Sequence, residues 1–226
     1  MNENVVNKQK ETLPSRPQAI IFDLDGTLAV SSRFYDEIYA ETLVDLVRET
    51  KGEEAVEILL ARDRLDGKGE LTLLSMGIPY RLWAERLIAA PLDLITPQPD
   101  IVSAVRSIWV KKLLYTGSPE AFAYRLLERI GFDPRKDFEL ILGWKEPEIF
   151  PLKWSNSPFV FASITALLRC DPQSVWSVGD NWETDLEPAK RIGITTIQIR
   201  KATGAPDFRF PDVPSLITAF QNGGTS

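Results

Sequence analysis

The sequence predicts an α/β fold with a doubly wound parallel sheet as its core and a small all-helical cap domain inserted after the first strand. Short apolar runs typical of buried strands alternate with helical patterns from residue 101 to residue 199. Residues 33–91, by contrast, contain helical patterns and no strand candidate. A chain of 226 residues is long enough for a main domain and a small second one.

The first predicted strand lies in the apolar run that begins at Ala19. Residues 1–17, before it, are polar and without periodicity, which predicts a flexible leader. The run ends in Asp23 and Asp25, and Gly26 then turns the backbone away. Two carboxylates so close in sequence at a strand end are costly, so a cation or a reacting group is expected between them.

The predicted cap covers residues 33–91. Its first helix is indicated by apolar positions three and four residues apart, from Tyr35 to Val47. Gly52 ends that pattern, and further helices are predicted around Ala55 to Leu60 and Arg81 to Ala89, on either side of a glycine-rich turn at 66–69. The core domain is therefore assigned to residues 18–32 and 92–226.

The remaining elements alternate as a parallel sheet requires. The predicted strands are 112–115, 138–142, 174–178 and 194–199, and the predicted helices are 101–108, 119–130, 159–169, 186–192 and one after Pro211.

Polar side chains follow the predicted strands where each one ends. Because ligands of open α/β sheets bind at the carboxyl ends of the strands, these side chains are candidates for one site. Oxygen ligands are those that Mg²⁺ prefers, and a glycine turn at a helix N-terminus suits a phosphate. The candidates are Asp23, Asp25, Thr116, Gly117, Lys153, Asp180 and Asp185.

Composition excludes several classes of function. The chain has no histidine, which removes the usual zinc ligand and every serine–histidine triad. A formal charge of −6 argues against nucleic acid as a partner. No apolar run is long enough to span a membrane, and the single cysteine, Cys170, favours a cytoplasmic location over a disulfide-bonded one.

Four motifs in order resemble those of the haloacid dehalogenase-like phosphohydrolases. The segment Asp23-Leu-Asp-Gly-Thr27 resembles the first motif, Thr116-Gly117 the second, Lys153 the third and 179–185 the fourth. The resemblance extends from residue 19 to about residue 199, and the position of the insert is that of the subfamily with a helical cap after motif one. It implies a Rossmann-like core.

The resemblance also implies a mechanism. Asp23 would attack phosphorus and form a phosphoaspartyl intermediate, while Asp25 would act as general acid and then as general base. Mg²⁺ would be held by Asp23, the backbone carbonyl of Asp25, and Asp180, with Asp185 orienting these ligands.

In the same mechanism, Thr116 and Gly117 would bind the phosphoryl oxygens of a small phosphorylated metabolite, and Lys153 would neutralise negative charge.

Some assignments stay open at this point. Lys145, in the segment Trp144-Lys-Glu-Pro147, competes with Lys153 for the third motif, and Asp185 could instead be an acid at a helix start. Trp83 and Trp109 are expected in the core, and Cys170 is expected to be a buried small hydrophobe.

The resemblance leaves several activities open beside a phosphatase. A sugar phosphomutase shares the same core motifs, and the insert with its exit at Pro97 to Asp100 resembles pyrimidine 5′-nucleotidases. A noncatalytic binding protein of the same fold is a third alternative. A dehalogenase is disfavoured, because halide displacement does not need the proton donor that Asp25 would provide.

Overall fold

The structure, a computed structural model, describes residues 16–66, 69–146 and 152–223. Of the predicted leader, only residues 16 and 17 fall within these ranges. Gly67 and Lys68 of the predicted glycine-rich turn, together with Pro147, also lie outside them.

A sheet of six parallel strands forms the core and confirms the predicted fold class. In order across the sheet the strands are β3-β2-β1-β4-β5-β6, so β1 is central and the chain order reverses beside it. The strands are β1 (Ala19–Phe22), β2 (Lys111–Pro119), β3 (Leu140–Trp144), β4 (Val175–Gly179), β5 (Thr195–Ile199) and β6 (Phe208–Phe210).

Helices follow β1 directly, as the sequence predicts. The chain turns through α1 (Ser32–Phe34), a π-helical turn (Tyr35–Tyr39) and α2 (Ala40–Lys51) without a break, and then forms α3 (Glu53–Asp66), α4 (Gly69–Ser75) and α5 (Tyr80–Ala89). We refer to the part from α1 to α5 as the helical insert.

The remaining helices pack against the sheet or connect its strands. They are α6 (Pro99–Arg106), α7 (Glu120–Ile130), α8 (Pro134–Asp137), α9 (Pro158–Leu168), α10 (Glu187–Lys190) and α11 (Val213–Gly223). Short 3₁₀ turns lie at Leu152–Ser155 and Pro172–Ser174, and a second π-helical turn covers Trp182–Leu186. None of the described helices combines the length and apolar character that a membrane crossing needs.

Both faces of the sheet are covered, which explains why every residue of β1 is apolar and buried. Ile20 and Phe22 point into one apolar cluster, whereas Ala19 and Ile21 point into another on the opposite face. The first cluster continues into the helical insert, where Trp83 is fully buried as predicted.

Two of the predictions about single side chains are corrected by the structure. Trp109 is 88% exposed, because its neighbour Ile108 is the residue that enters the core after α6. Cys170 is half-buried at the edge of the second cluster rather than enclosed in it.

Candidate active site

The carboxyl ends of β1, β2 and β4 meet at the point where the strand order reverses, and the candidate residues lie there. Gly26 makes this convergence possible. Its φ is +83°, and a Cβ at this position would lie 2.6 Å from Oδ2 of Asp180. Glycine therefore allows the loop after β1 to lie against the loop after β4.

Asp23 is buried directly after β1. Thr27 donates a hydrogen bond from Oγ1 to its Oδ2 over 2.9 Å, and the ammonium group of Lys153 contacts its Oδ1. Burial raises the pKa of Asp23 well above its usual range, the charge of Asp185 raises it further, and Lys153 opposes both effects.

Asp25 is held by three hydroxyl groups. Thr116 and Ser118 donate to Oδ2 over 3.0 and 2.8 Å, and Tyr35 of the helical insert donates to Oδ1 over 2.6 Å. These bonds fix the orientation of the carboxyl group next to Asp23 and join it to both β2 and the insert.

The segment after β4 brings two further carboxylates to the site. Asp185, on the second π-helical turn, is buried and accepts hydrogen bonds from the backbone N–H of Asn181 and from Oγ1 of Thr184, each over 2.9 Å. Asp180 is ion-paired with Lys201 over 2.8 Å. Burial raises the pKa of Asp180, with Asp185 as the next cause.

The structure brings Lys153, and not Lys145, into the site. The Nζ atom of Lys153 contacts Asp23, lies 2.8 Å from Oδ1 of Asp185 and donates to the carbonyl of Tyr115 over 2.9 Å. Burial alone would lower the pKa of Lys153, but the two carboxylates outweigh it and the pKa is raised, so the side chain stays charged. Lys145 is 64% exposed and pairs with Glu120.

Three carboxylates could hold a metal ion. Asp23, Asp180 and Asp185 each offer an oxygen atom, and these atoms lie within 4.8 Å of one another. Lys153 alone does not balance this much buried negative charge, as the raised pKa of Asp23 indicates. A donor set made only of oxygen atoms fits Mg²⁺.

Thr116 and Gly117 lie where β2 departs from regular pairing with β3, between Tyr115 and Pro119. The hydroxyl of Thr116 is directed to Asp25 and accepts a bond from the N–H of Ser118. A Cβ on Gly117 would lie 2.6 Å from the indole nitrogen of Trp154, so this tryptophan packs directly over the backbone.

A cavity of about 150 Å³ is lined by all of the candidate residues except Thr116. Its lining also includes residues that sequence reasoning did not select, and Tyr35 reaches the same site from the π-helical turn. Two signals in the sequence point to some of these residues. Ser118 adjoins the second motif, and Tyr35 and Tyr39 are four residues apart, which places them on one helix face. The unselected lining residues are Tyr39, Glu70, Ser118, Trp154, Asn181 and Thr184.

The chain matches the family of haloacid dehalogenase-like hydrolases over residues 17–193. The chain belongs to this family. The match covers all four motifs. A search of curated protein sequences finds no match.

Solved structures of the family share the fold at low sequence identity. A haloacid dehalogenase-like phosphatase from Thermococcus onnurineus has a TM-score of 0.61 and 18% identity, with 90% of this chain and 97% of that one covered. L-2-haloacid dehalogenase from Xanthobacter autotrophicus, with chloropropionic acid covalently bound, has a TM-score of 0.58 and 16% identity, covering 93% and 100%. The hydrolase YfnB from Bacillus subtilis, bound to magnesium, has 0.60 and 11%, covering 90% and 98%.

Proposed function

We propose that this hydrolase is a Mg²⁺-dependent phosphatase that cleaves a small organic phosphate monoester through a phosphoaspartyl intermediate. The observation that carries the proposal is the pairing of two groups of side chains. Asp23, Asp180 and Asp185 form an oxygen cluster in which Lys153 contacts Asp23 and Asp185, and Asp25 lies beside them with its carboxyl group held by three hydroxyls.

Asp23 acts as the nucleophile. One of its carboxylate oxygens forms a bond to phosphorus as the bond from phosphorus to the ester oxygen breaks. Asp25 gives its proton to the leaving alkoxide and then takes a proton from the water that attacks the phosphoaspartate. The inorganic phosphate that leaves restores the Asp23 carboxylate.

Lys153 and the loop after β2 would stabilise the transferring group. Lys153 lies against Asp23, where negative charge collects, and the Gly117 amide belongs to the loop proposed to bind phosphoryl oxygens. Asp23, Asp180 and the backbone carbonyl of Asp25 would hold Mg²⁺, and Asp185 would orient them. When bound, the ion would withdraw charge from the phosphoryl oxygens.

The solved structures include haloacid dehalogenases, so halide displacement is the competing reaction. Halide is a weak base and leaves without a proton, so the displacement step would not use the proton that Asp25 can give to a leaving group. The alkoxide that leaves a phosphate ester is a strong base and does need that proton, which favours the phosphatase.

The helical insert is proposed to act as a cap, with residues 33–91 forming one domain and residues 18–32 and 92–226 the other. A small phosphorylated metabolite is proposed as the substrate. The cytoplasmic location stays a prediction.

Release of phosphate from p-nitrophenyl phosphate tests the proposal. We expect turnover with Mg²⁺, none with EDTA, and none in Asp23→Asn, whose amide cannot attack phosphorus. Asp36→Asn is the matched control, since Asp36 is exposed on the insert. Chloride release from 2-chloropropionate by the wild type, without turnover across a broad panel of phosphate esters, would contradict the proposal.

A further inference from the structure

A second lysine, Lys201, contacts the acidic cluster from outside the cavity. Its Nζ atom lies 2.8 Å from Oδ2 of Asp180, and its side chain is 53% exposed. Asp180 is one of the three carboxylates that could hold a metal ion and it lines the cavity, whereas Lys201 is not among the described lining residues. An ammonium group from the surface therefore bonds directly to a proposed ligand of Mg²⁺.

The loop after β5 places Lys201 on this carboxylate. Arg200 has a φ of +68°, in the left-handed region, and the N–H of Lys201 donates to the carbonyl two residues earlier over 2.7 Å, so the backbone reverses at the end of the strand. The buried side-chain amide of Gln198 donates to the backbone carbonyl of Asp180 over 3.1 Å and to the hydroxyl of Thr203 over 2.8 Å. The loop is thus bonded to the segment that carries Asp180, and this keeps the ammonium group within reach of the carboxylate.

The two lysines that contact the cluster differ in how firmly they are held. Lys153 is 5% exposed and contacts two carboxylates, those of Asp23 and Asp185. Its departure would leave both carboxylates without a partner inside the protein, which is costly. For Lys201, Asp180 is the one ion-pair partner within the described part of the chain, and the side chain can rotate into the solvent at small cost. Of the two ammonium groups, only that of Lys201 can readily give way to another cation.

We propose that Lys201 competes with Mg²⁺ for the carboxylate of Asp180 and thereby lowers the affinity of the site for the ion. Two cations on one carboxylate repel each other, so Mg²⁺ binds more tightly once the ammonium group has rotated away. The free energy of the broken ion pair is then lost from the binding of Mg²⁺. An affinity lowered in this way makes the occupancy of the site depend on the concentration of free Mg²⁺. This inference rests on the metal site of the proposed function.

Titration calorimetry of the full chain with MgCl₂, after removal of metal with EDTA and dialysis, tests the competition. Lys201→Met removes the charge and keeps an unbranched apolar side chain. We expect this variant to bind Mg²⁺ about fivefold more tightly than the wild type, which is the upper end of the range for one ion pair at a protein surface. Lys201→Arg keeps the charge and should keep an affinity close to that of the wild type.

Lys190→Met is the matched control. Lys190 is partly exposed and pairs with Asp207 over 2.7 Å, at the end of the same loop and outside the described cavity lining. Because this ion pair involves none of the proposed metal ligands, its loss should leave the affinity for Mg²⁺ at the wild-type value.

Thermal unfolding gives a second readout that does not depend on turnover. Without Mg²⁺, Lys201→Met and Lys190→Met each lose one ion pair and should have a slightly lower Tm than the wild type. A fixed concentration of Mg²⁺ should then raise the Tm of Lys201→Met more than that of the wild type, because the variant binds the ion more tightly. The rise for Lys190→Met should equal the wild-type rise.

An unchanged affinity in Lys201→Met would mean that the ion pair only stabilises the loop, and a weaker affinity would mean that Lys201 orients Asp180 for the ion. Either result overturns the inference and leaves the phosphatase proposal intact, as long as p-nitrophenyl phosphate is hydrolysed with Mg²⁺. Absence of that hydrolysis in a wild type that binds Mg²⁺ would instead refute the proposed reaction, whereas the comparison of affinities would still decide the role of Lys201.

Discussion

The carboxyl edge of the sheet and the helical insert contribute to the same cavity in different ways. At the sheet edge most of the charged side chains are fixed by several partners, as Asp185 is by Lys153, Thr184 and the Asn181 amide. The insert contributes aromatic rings and one carboxylate, Glu70. From this difference we expect the reaction to depend on the core and the choice of substrate to depend on the insert. The following predictions test that division.

Four changes are considered, in order of expected effect: loss of Lys153, a lower pH, loss of the Tyr35 hydroxyl and loss of the Thr42 hydroxyl. Loss of Lys153 should have the largest effect. In Lys153→Met, Asp23 and Asp185 lose their shared counter-charge, so we expect kcat to fall by about 10²–10³. Leaving two buried carboxylates without their partner should also lower the free energy of unfolding by about 3–5 kcal/mol. Steady-state kinetics and urea unfolding measure the two effects.

Lys145→Met is the control for that variant. Lys145 is exposed and pairs with Glu120 on the surface, so its loss should leave kcat within about twofold of the wild type. Equal losses in both variants would remove Lys153 from the proposed mechanism.

Magnesium affinity should fall as the pH is lowered from 7 to 5.5. Burial raises the pKa values of Asp23 and Asp180, and metal binding requires both carboxylates to be deprotonated. Protons therefore compete with the ion as the pH falls. The affinity for Mg²⁺ should fall by at most about tenfold per pH unit for each proton displaced.

Titration calorimetry in two buffers of different ionisation enthalpy would measure this proton release. Asp36→Asn should show the same pH dependence as the wild type. An affinity independent of pH would mean that the ion does not bind at the buried carboxylates.

Tyr35→Phe tests a contact that crosses the boundary between the two regions. The phenol donates to Oδ1 of Asp25, the proposed proton donor, so its removal leaves that carboxyl group held only at Oδ2, by Thr116 and Ser118. We expect kcat to fall by about tenfold with little change in KM, the size expected for one hydrogen bond to a charged group. Tyr124→Phe, on α7 and outside the cavity lining, should match the wild type. A change confined to KM would assign Tyr35 to substrate binding instead.

The smallest expected effect lies within the insert. Thr42 accepts a hydrogen bond from the indole N–H of the buried Trp83 over 2.9 Å, so Thr42→Val should lower the free energy of unfolding by about 1 kcal/mol and leave kcat unchanged. Thr50→Val on the same helix removes a hydroxyl that bonds only to carbonyls of its own helix and should cost less. Chemical unfolding compares the two variants.

Much of the fold and the placement of the acidic residues could be predicted from sequence, because short stretches of the chain carry the signal. A run such as Ala19–Phe22 is apolar throughout because both faces of a parallel strand are covered, and the ends of such strands meet at one edge. Asp23 and Asp180 therefore had to lie near each other once β1 and β4 were recognised.

Other features depend on packing that no short pattern encodes. The strand β6 has three residues, too few for a recognisable alternation, and was not predicted. The exposure of Trp109 depends on which of two adjacent apolar residues turns inward after α6. The bond from Tyr35 to Asp25 depends on the π-helical turn Tyr35–Tyr39 and on how the insert sits over the sheet, and both are tertiary properties.

The 3₁₀ turn Leu152–Ser155 has a consequence for the way selectivity in this enzyme can change. It presents Lys153 to Asp23 and Trp154 to the cavity wall from adjacent positions. A backbone shift that widens the cavity at Trp154 therefore also moves the ammonium group. We therefore expect directed evolution towards larger esters to accumulate its first tolerated substitutions at Tyr39 and Glu70, which lie on other elements, so that their replacement does not move Lys153.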